Sequence, residues 1–371
     1  MRKVLYSLAP IFLFSIYLYG LRPILTALVV FPLGVLVEYL FEKKRGKKVS
    51  EAVLVTCALY TLSMPPVVPL WIVAVGILFT VFMAKEVYGG FGRNVFNPAI
   101  AGRLFVYISF ATIMQAGFVQ PGAFGAASGL LGYPVDGMTA ATPLAQLRHG
   151  EPLSVLNAIL GFRMGSMGES SVILIVLAGI YLVATKTASW RLMVSTIGSA
   201  VVLNGILLLA GVSRVLPMES LLVGSFLFVA VFMATDPVSA PKKPLAQWLY
   251  GIVIGISVVL IRSFSLFPEG TSFAVLLANT AASLFDDLVG GNKAKAAPAK
   301  PGAAPAAKGA PATAAPAKQG GPSAAPAAPA KPGAAPAAKG APATAAPAKQ
   351  GGPSAAPAAP SVTAKDSGGT K

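Results

Sequence analysis

Apolar residues dominate this chain in long runs separated by short polar loops, at roughly 4–20, 24–41, 52–65, 67–84, 97–115, 171–187, 192–211, 219–235, 246–262 and 271–289. Each run reaches or approaches the ~20 residues that a helix needs to cross a bilayer. The pattern predicts an all-α polytopic membrane protein with about ten transmembrane helices. The third run is short and passes into "MPPVVP", Met64 to Pro69. Prolines at that depth predict a broken helix, tolerable only where protein or a cavity covers the freed backbone groups.

The polar loops between the runs set the orientation, because cytoplasmic loops concentrate Lys and Arg. "MRK" at the start, "EKKRGKK" at 42–48, Lys85 with Arg93, Lys186 with Arg191 and Lys242 with Lys243 fall alternately on one side. Both termini are therefore expected in the cytoplasm. The longest opposite loop, about 116–168, is expected on the periplasmic or external face. One internal echo, "VFMA" at 81–84 and again at 231–234, has both copies leaving the membrane on the same side. An inverted repeat would not do that, so the echo is either chance or a sign that the span count is off.

Composition agrees with the patterning: 55% of residues are hydrophobic and 11% charged, with a mean hydropathy of +0.72. The formal net charge is +16, but the segment from Lys293 onward, with ten Lys and one Asp, holds +9 of it. No single nucleic-acid patch follows from such a distribution. Residues 300–330 are repeated at 331–361, differing only at Ala330 against Ser361. Ala, Pro, Gly and Lys in this proportion cannot bury a core, so 291–371 is expected to be a disordered tail behind a membrane domain at 1–290. The tail reads as a solvated spacer, or else as a weak tether to anionic lipid or an acidic partner. The lone Cys57 excludes an intramolecular disulfide and cannot supply the cysteine set of an iron–sulfur cluster or structural zinc. No metal site is expected, and the single His149 reads as solvated.

Five polar stretches stand at the ends of runs, where an apolar chain keeps polar groups only with partners or a purpose. In "GGFGRNVFNPA", Gly89–Ala99, the glycines suit tight turns, Asn94 and Asn97 offer amides, and Pro98 can open a helix. "DGMTAATPL", 136–144, places Asp136, Thr139, Ala141 and Thr142 in the long outer loop, as a turn and helix cap or as an attachment site. "GSMGESS", Gly165–Ser171, sets Glu169 at the head of a run, where a helix N-terminus favours a carboxylate. "FMATDPVSAP", Phe232–Pro241, carries Asp236 as a turn cap or a site residue. Arg262 and Glu269 flank an outer turn before Asn279, a mid-run amide that needs a partner on another helix.

Taken together and in this order, these motifs with "PEGTSFAVLLAN" resemble the RnfD family of Rnf electron-transport complexes. They equally resemble its relative NqrB, the corresponding membrane protein of sodium-pumping NADH:quinone oxidoreductase. The resemblance covers about residues 1–290. It implies two five-helix halves related by pseudo-symmetry. It further implies that Asp136-Gly-Met-Thr139-Ala-Ala141-Thr142 is a flavinylation motif: Thr142 carries FMN through a phosphoester installed by a separate flavin transferase that uses FAD, with Asp136 and Thr139 as recognition elements. A second, non-covalent flavin is compatible with the same resemblance. Such a tether holds the flavin at high effective concentration beside its docking surface.

The resemblance implies one component of a bacterial inner-membrane complex, partnered by the other Rnf-type subunits, the flavin transferase and membrane lipid. That complex would couple electron flow between ferredoxin and NAD to movement of sodium ions or protons. The quinone-linked relatives usually have a longer N-terminal region, whereas the first run here starts at about residue 4, so the Rnf type is preferred. Asn94, Asn97, Glu169, Asp236 and Asn279 are the candidates for a flavin or ion path. The alternatives within the family are a quinone-linked NADH oxidoreductase subunit of the B type or a flavinylated extracellular electron-transfer subunit without a pump, and a cofactor-free solute transporter is the alternative outside it.

Overall fold

The computed structural model describes residues 1–122, 143–148, 154–213, 215–265 and 270–290. The chain divides into two units, Met1–Ala299 and Lys300–Lys371, and every described residue lies in the first. All regular structure among the described residues is helical. Helix α1 spans Arg2–Tyr19, α2 Arg22–Lys44, α3 Ala52–Ser63 and α4 Leu70–Val81, the last prolonged by a π-helical turn at Phe82–Glu86. Helix α5, Pro98–Ser109, is followed by the short α6, Ala111–Ala116, α7, Pro143–Arg148, and α8, Val155–Leu160. Then come α9, Val172–Ala184, α10, Trp190–Leu209, α11, Pro217–Leu222, and α12, Phe226–Phe228, which runs into a second π-helical turn at Val229–Met233. Helices α13, Pro244–Phe264, and α14, Gly270–Gly290, complete the described fold.

Each of the ten expected runs is helical over part of its length, but only four described helices, α2, α10, α13 and α14, are long and apolar enough to cross a membrane. Helices α3, α5 and α9 are apolar yet have only 12, 12 and 13 residues. Proline explains the shortening of α3, and π-helical turns take over the ends of α4 and α12. Pro65, Pro66 and Pro69 stop α3 and delay α4, since a proline supplies no N–H and disfavours helix before it. The carbonyls left over at the end of α3 are not abandoned: Leu62 O accepts from Gly168 N at 2.6 Å and Met64 O from Met167 N at 3.1 Å. A Cβ on Gly168 would meet Leu62 Cβ at 2.7 Å, so that approach requires glycine.

The "VFMA" echo has a structural counterpart. One copy straddles the start of the first π-turn and the other the end of the second. A π-turn widens the helix by one residue and leaves carbonyls to be satisfied elsewhere, which is why such turns gather at functional sites.

The basic loops gather at one end of the fold. Arg2 pairs with Glu51, Lys3 Nζ donates to Thr185 O, and Lys243 Nζ donates to Asp286 O. The alternation read from Lys and Arg is thus present in the packing. On the outside, large apolar side chains such as Leu28, Ile180, Val202 and Leu277 stand exposed, as lipid contact allows and water would penalise.

Small residues set the closest helix contact. Gly251 and Gly255 of α13 face Ser195, Thr196 and Ala200 of α10, and Ser199 Oγ reaches Gly251 O at 3.5 Å. Where lipid removes the hydrophobic drive between helices, such close backbone approach supplies van der Waals contact instead. A Cβ on Gly255 would lie 2.5 Å from Thr196 O and 2.9 Å from Ala200 N, both backbone atoms that cannot step aside. We expect Gly255→Leu to cost at least about 1–3 kcal/mol through overpacking. Unfolding in detergent micelles, followed by loss of monodispersity with temperature, measures it; an unshifted transition contradicts the tight α10–α13 contact.

Candidate functional site

At the lysine-rich end lies a cavity of about 260 Å³. Its walls include Thr56 and Leu59 of α3, Lys85 of the first π-turn, Phe91, Asn94 and Asn97 of the glycine-rich loop, Phe232 of the second π-turn, and Thr235 and Asp236 after it. Three of the five residues expected on a flavin or ion path therefore meet in one place.

The local chain explains their placement. Asn97 is the N-cap of α5: its Oδ1 accepts from Ala99 N at 3.0 Å and Ile100 N at 3.4 Å, with Pro98 at the first helical position. Its Nδ2 donates to Met233 O, a carbonyl of the second π-turn, at 3.2 Å. Asn97 N donates to Asn279 Oδ1 at 3.1 Å, while Asn279 Nδ2 donates to Tyr250 Oη at 2.6 Å and Ser239 O at 3.4 Å. Asn279 thus stands behind the cavity, not on its wall, and joins α5, α13, α14 and the "TDPVSAP" turn. Asn94 folds onto its own loop, Nδ2 to Phe96 O at 3.0 Å, and is buried.

Asp236 closes a turn, accepting from Val238 N at 3.3 Å and Ser239 Oγ at 2.8 Å. Burial pushes its carboxyl above the ordinary carboxylate range, against the pull of those hydrogen bonds. Asp236 also lines a second, basic groove with Lys186, Arg191 and Lys242, which shares Thr187, Ala188 and Thr235 with the cavity.

Behind Lys85 lies a charge network that motif reading missed. Lys85 and Glu38 are each about 1% exposed and form an ion pair, Nζ to Oε2. Glu38 Oε1 accepts from Ser50 N at 3.0 Å and Ser50 Oγ at 2.8 Å. Arg45 bridges Glu42, at 2.9 Å, and Glu86, and its Nη2 donates to Glu86 O at 2.6 Å. The available signal was Glu38, a carboxylate inside an apolar run with Lys85 at the end of another. Buried opposite charges in lipid-embedded helices seek each other.

Glu169 is not part of this cavity. It is buried near the far end of α1, where Arg163 Nη2 donates to Glu169 O at 2.8 Å and Tyr19 Oη lies 3.4 Å from Gly165 O. Arg103 Nη2 donates to Ser166 Oγ at 3.1 Å, so two buried arginines and one carboxylate surround the "GSMGESS" loop. Burial holds the Arg163 guanidinium below its ordinary value, with Glu169 opposing. The helix-capping role falls to Ser171, whose Oγ accepts from Leu174 N at 3.4 Å, and not to Glu169. Arg262, the other flagged cation, is buried and donates from Nη1 to Ser220 O at 2.8 Å, tying α13 to α11.

Asp136, Thr139, Ala141 and Thr142 lie outside the described residues, as do His149, Glu269 and the repeat tail. The helix that follows them is placed: Pro143, next to Thr142, is buried, and Leu147 packs with Val223 and Val215. Helix α7 is thereby packed against the segment between α10 and α12.

The described residues thus form a multi-pass helical membrane protein whose interrupted helices enclose buried polar sites at both ends. The chain belongs to the NQR2, RnfD, RnfE family, whose model matches residues 1–295. It is 37% identical over 280 residues to the B-type subunit of the Na(+)-translocating NADH-quinone reductase of Haemophilus influenzae strain PittEE, covering 71% of this chain and 65% of that protein. It is 38% identical over 275 residues to the protein of the same name from Azotobacter vinelandii, with 70% and 65% covered. The chain thus spans just under two thirds of these relatives' length. Their names favour the quinone-linked branch over the Rnf branch preferred from the position of the first run.

The buried ion pair makes a sharp expectation. Lys85→Ala strands the Glu38 carboxylate and should cost about 3–5 kcal/mol, whereas Lys85→Met with Glu38→Gln should recover most of it. Chemical unfolding of the micelle-solubilised protein compares the two. Equal losses in both would show that the pair's charges are not mutually dependent.

Proposed function

We propose that this chain is a membrane component of an ion-translocating NADH-quinone reductase, carrying electrons through FMN bound covalently at Thr142. The observation that carries the reading is family membership over 1–295 together with relatives named as parts of that enzyme. Attachment would proceed by attack of the Thr142 hydroxyl on the FMN phosphorus of FAD, forming the threonine phosphoester and releasing AMP, with a flavin transferase as catalyst. Asp136, Thr139 and Ala141 form the surrounding recognition sequence. When bound, the flavin accepts and passes electrons one or two at a time.

The chain's own residues supply the setting. Pro143 and Leu147 fix the C-terminal side of the attachment loop, so the tether restricts the flavin to the end of the molecule near α11 and α12. The cavity is lined by polar side chains, Asn94, Asn97, Thr235 and Asp236, together with the aromatic rings of Phe91 and Phe232. Its volume, about 260 Å³, is just below the roughly 300 Å³ at which small-molecule sites begin, room for part of a ring system. We assign the second, non-covalent flavin to it.

Glu169 lies near the Tyr19 end of α1 and Asp236 near its Met1 end, and the 18-residue helix is about 27 Å long. An ion path in this reading runs between those two carboxylates, with Asn279 holding the helices around it. The lysine-rich end faces the cytoplasm of a bacterium, the Thr142 loop faces outward, and the ten helical runs, the broken ones included, cross the inner membrane in two halves. The remaining subunits of the complex, the transferase and lipid are the partners.

The test is the mass of the peptide containing residues 136–148, from protein purified out of its native membrane and from a Thr142→Ala variant. A gain matching one FMN in the first and none in the second is expected. An unmodified Thr142 in cells shown to contain the transferase overturns the covalent mechanism. Within the assembled complex, NADH-driven quinone reduction should rise with sodium; indifference to sodium and to proton uncouplers would remove the ion-translocating role while leaving the flavin.

A further inference from the structure

Between α2 and α3 an apolar groove of about 520 Å³ lies open on the outer surface. Phe31, Val35, Leu36 and Tyr39 form one stripe of α2 along it, and Val49 and Leu54 form the opposite wall. The stripe from Phe31 to Tyr39 spans eight helical steps, about 12 Å, close to the ~15 Å depth of hydrocarbon in one leaflet. Tyr39 and Val49 mark its lysine-rich end.

That end is crowned by cations that no described carboxylate neutralises. The Lys43 ammonium lies over the Tyr39 ring, 5.2 Å from its centroid. Gly46 adopts a left-handed conformation, φ 67°, which folds the chain back so that Lys47 N donates to Glu42 O at 2.9 Å. The return brings Val49 into the groove wall and sets Lys48 beside it at the rim. The carboxylates nearby are committed elsewhere: Glu38 to Lys85, Glu42 and Glu86 to Arg45, and Glu51 to Arg2. Among the described residues, Lys43, Lys44, Lys47 and Lys48 form no ion pair.

We propose that this groove and its lysine rim form a binding site for one anionic phospholipid, with an acyl chain along Phe31–Tyr39 and the phosphate against the lysines. Basic loops alone would give diffuse attraction to any negative surface. An apolar slot directly beneath them adds a place for the chain, and the aromatic ring under Lys43 holds that ammonium at the level of the head group. Charge complementarity names the head group; groove depth names the tail.

The full-length protein in its native complex, washed in mild detergent, would be offered equimolar dioleoyl phosphatidylglycerol and dioleoyl phosphatidylcholine, and retained lipid counted by native mass spectrometry. The expected result is about a tenfold preference for the anionic lipid. Replacing Lys43, Lys44, Lys47 and Lys48 together by Gln should abolish the preference. Leu54→Trp, which fills the groove and keeps every lysine, should lower phosphatidylglycerol retention as well. A diazirine on the acyl chain should cross-link wild-type protein within residues 31–54, a readout that stands even where a variant fails to fold. Equal retention of both lipids, an unchanged preference in the quadruple variant, cross-links spread evenly over the helices, or recovery of a neutral prenyl lipid from the groove would each overturn the site.

Discussion

A backbone group freed by a broken helix has no water to turn to inside a bilayer, and this fold is arranged around that constraint. Where prolines end α3, the Leu62 and Met64 carbonyls are met by the N–H groups of Gly168 and Met167. Where the second π-turn opens at Val229–Met233, the Met233 carbonyl is met by the Asn97 amide. Each repair carries a polar motif from one part of the chain into a break in another. Both buried polar sites arise from that arrangement: the "GSMGESS" loop with Arg163 and Glu169, and the cavity beside Asn97 and Asp236.

Charge follows the same logic. Lys85 enters the protein at the first π-turn and is matched by Glu38, which Ser50 supports with two further hydrogen bonds. Burying an ammonium alone at that depth would be costly enough to drive it neutral or outward. Paired, it presents a fixed cation on the cavity wall, a few residues from the amides that would orient a bound ring. One end is rich in exposed lysine and the other in buried arginine, which distinguishes the two ends of the described fold.

Much of this is legible in the sequence. Apolar periodicity locates every described long helix, the "MPPVVP" break is expected together with protein cover for its freed groups, and the basic loops do meet at one end. The motifs at Asn94, Asn97 and Asp236 converge although 142 positions separate the outermost pair. What sequence does not convey is continuity: π-turns at Phe82–Glu86 and Val229–Met233 have no residue signature beyond the "VFMA" echo, so unbroken spans are expected where short helices occur. Lys85 is legible as an orientation marker and not as half of an ion pair, because its partner is 47 residues away in a different helix. Glu169 cannot be separated from the others by chemistry alone, since only the fold puts it at the opposite end of α1.

The tethered flavin we propose at Thr142 and the cavity beside Asn97 and Asp236 are joined by family membership. Counting flavin per polypeptide in the purified native complex, after acid precipitation divides the released from the retained fraction on this polypeptide, tests that join most directly. One flavin retained on the chain and one released from it are expected. A chain that holds no flavin in either fraction, in cells competent to make and attach it, would contradict the flavoprotein reading.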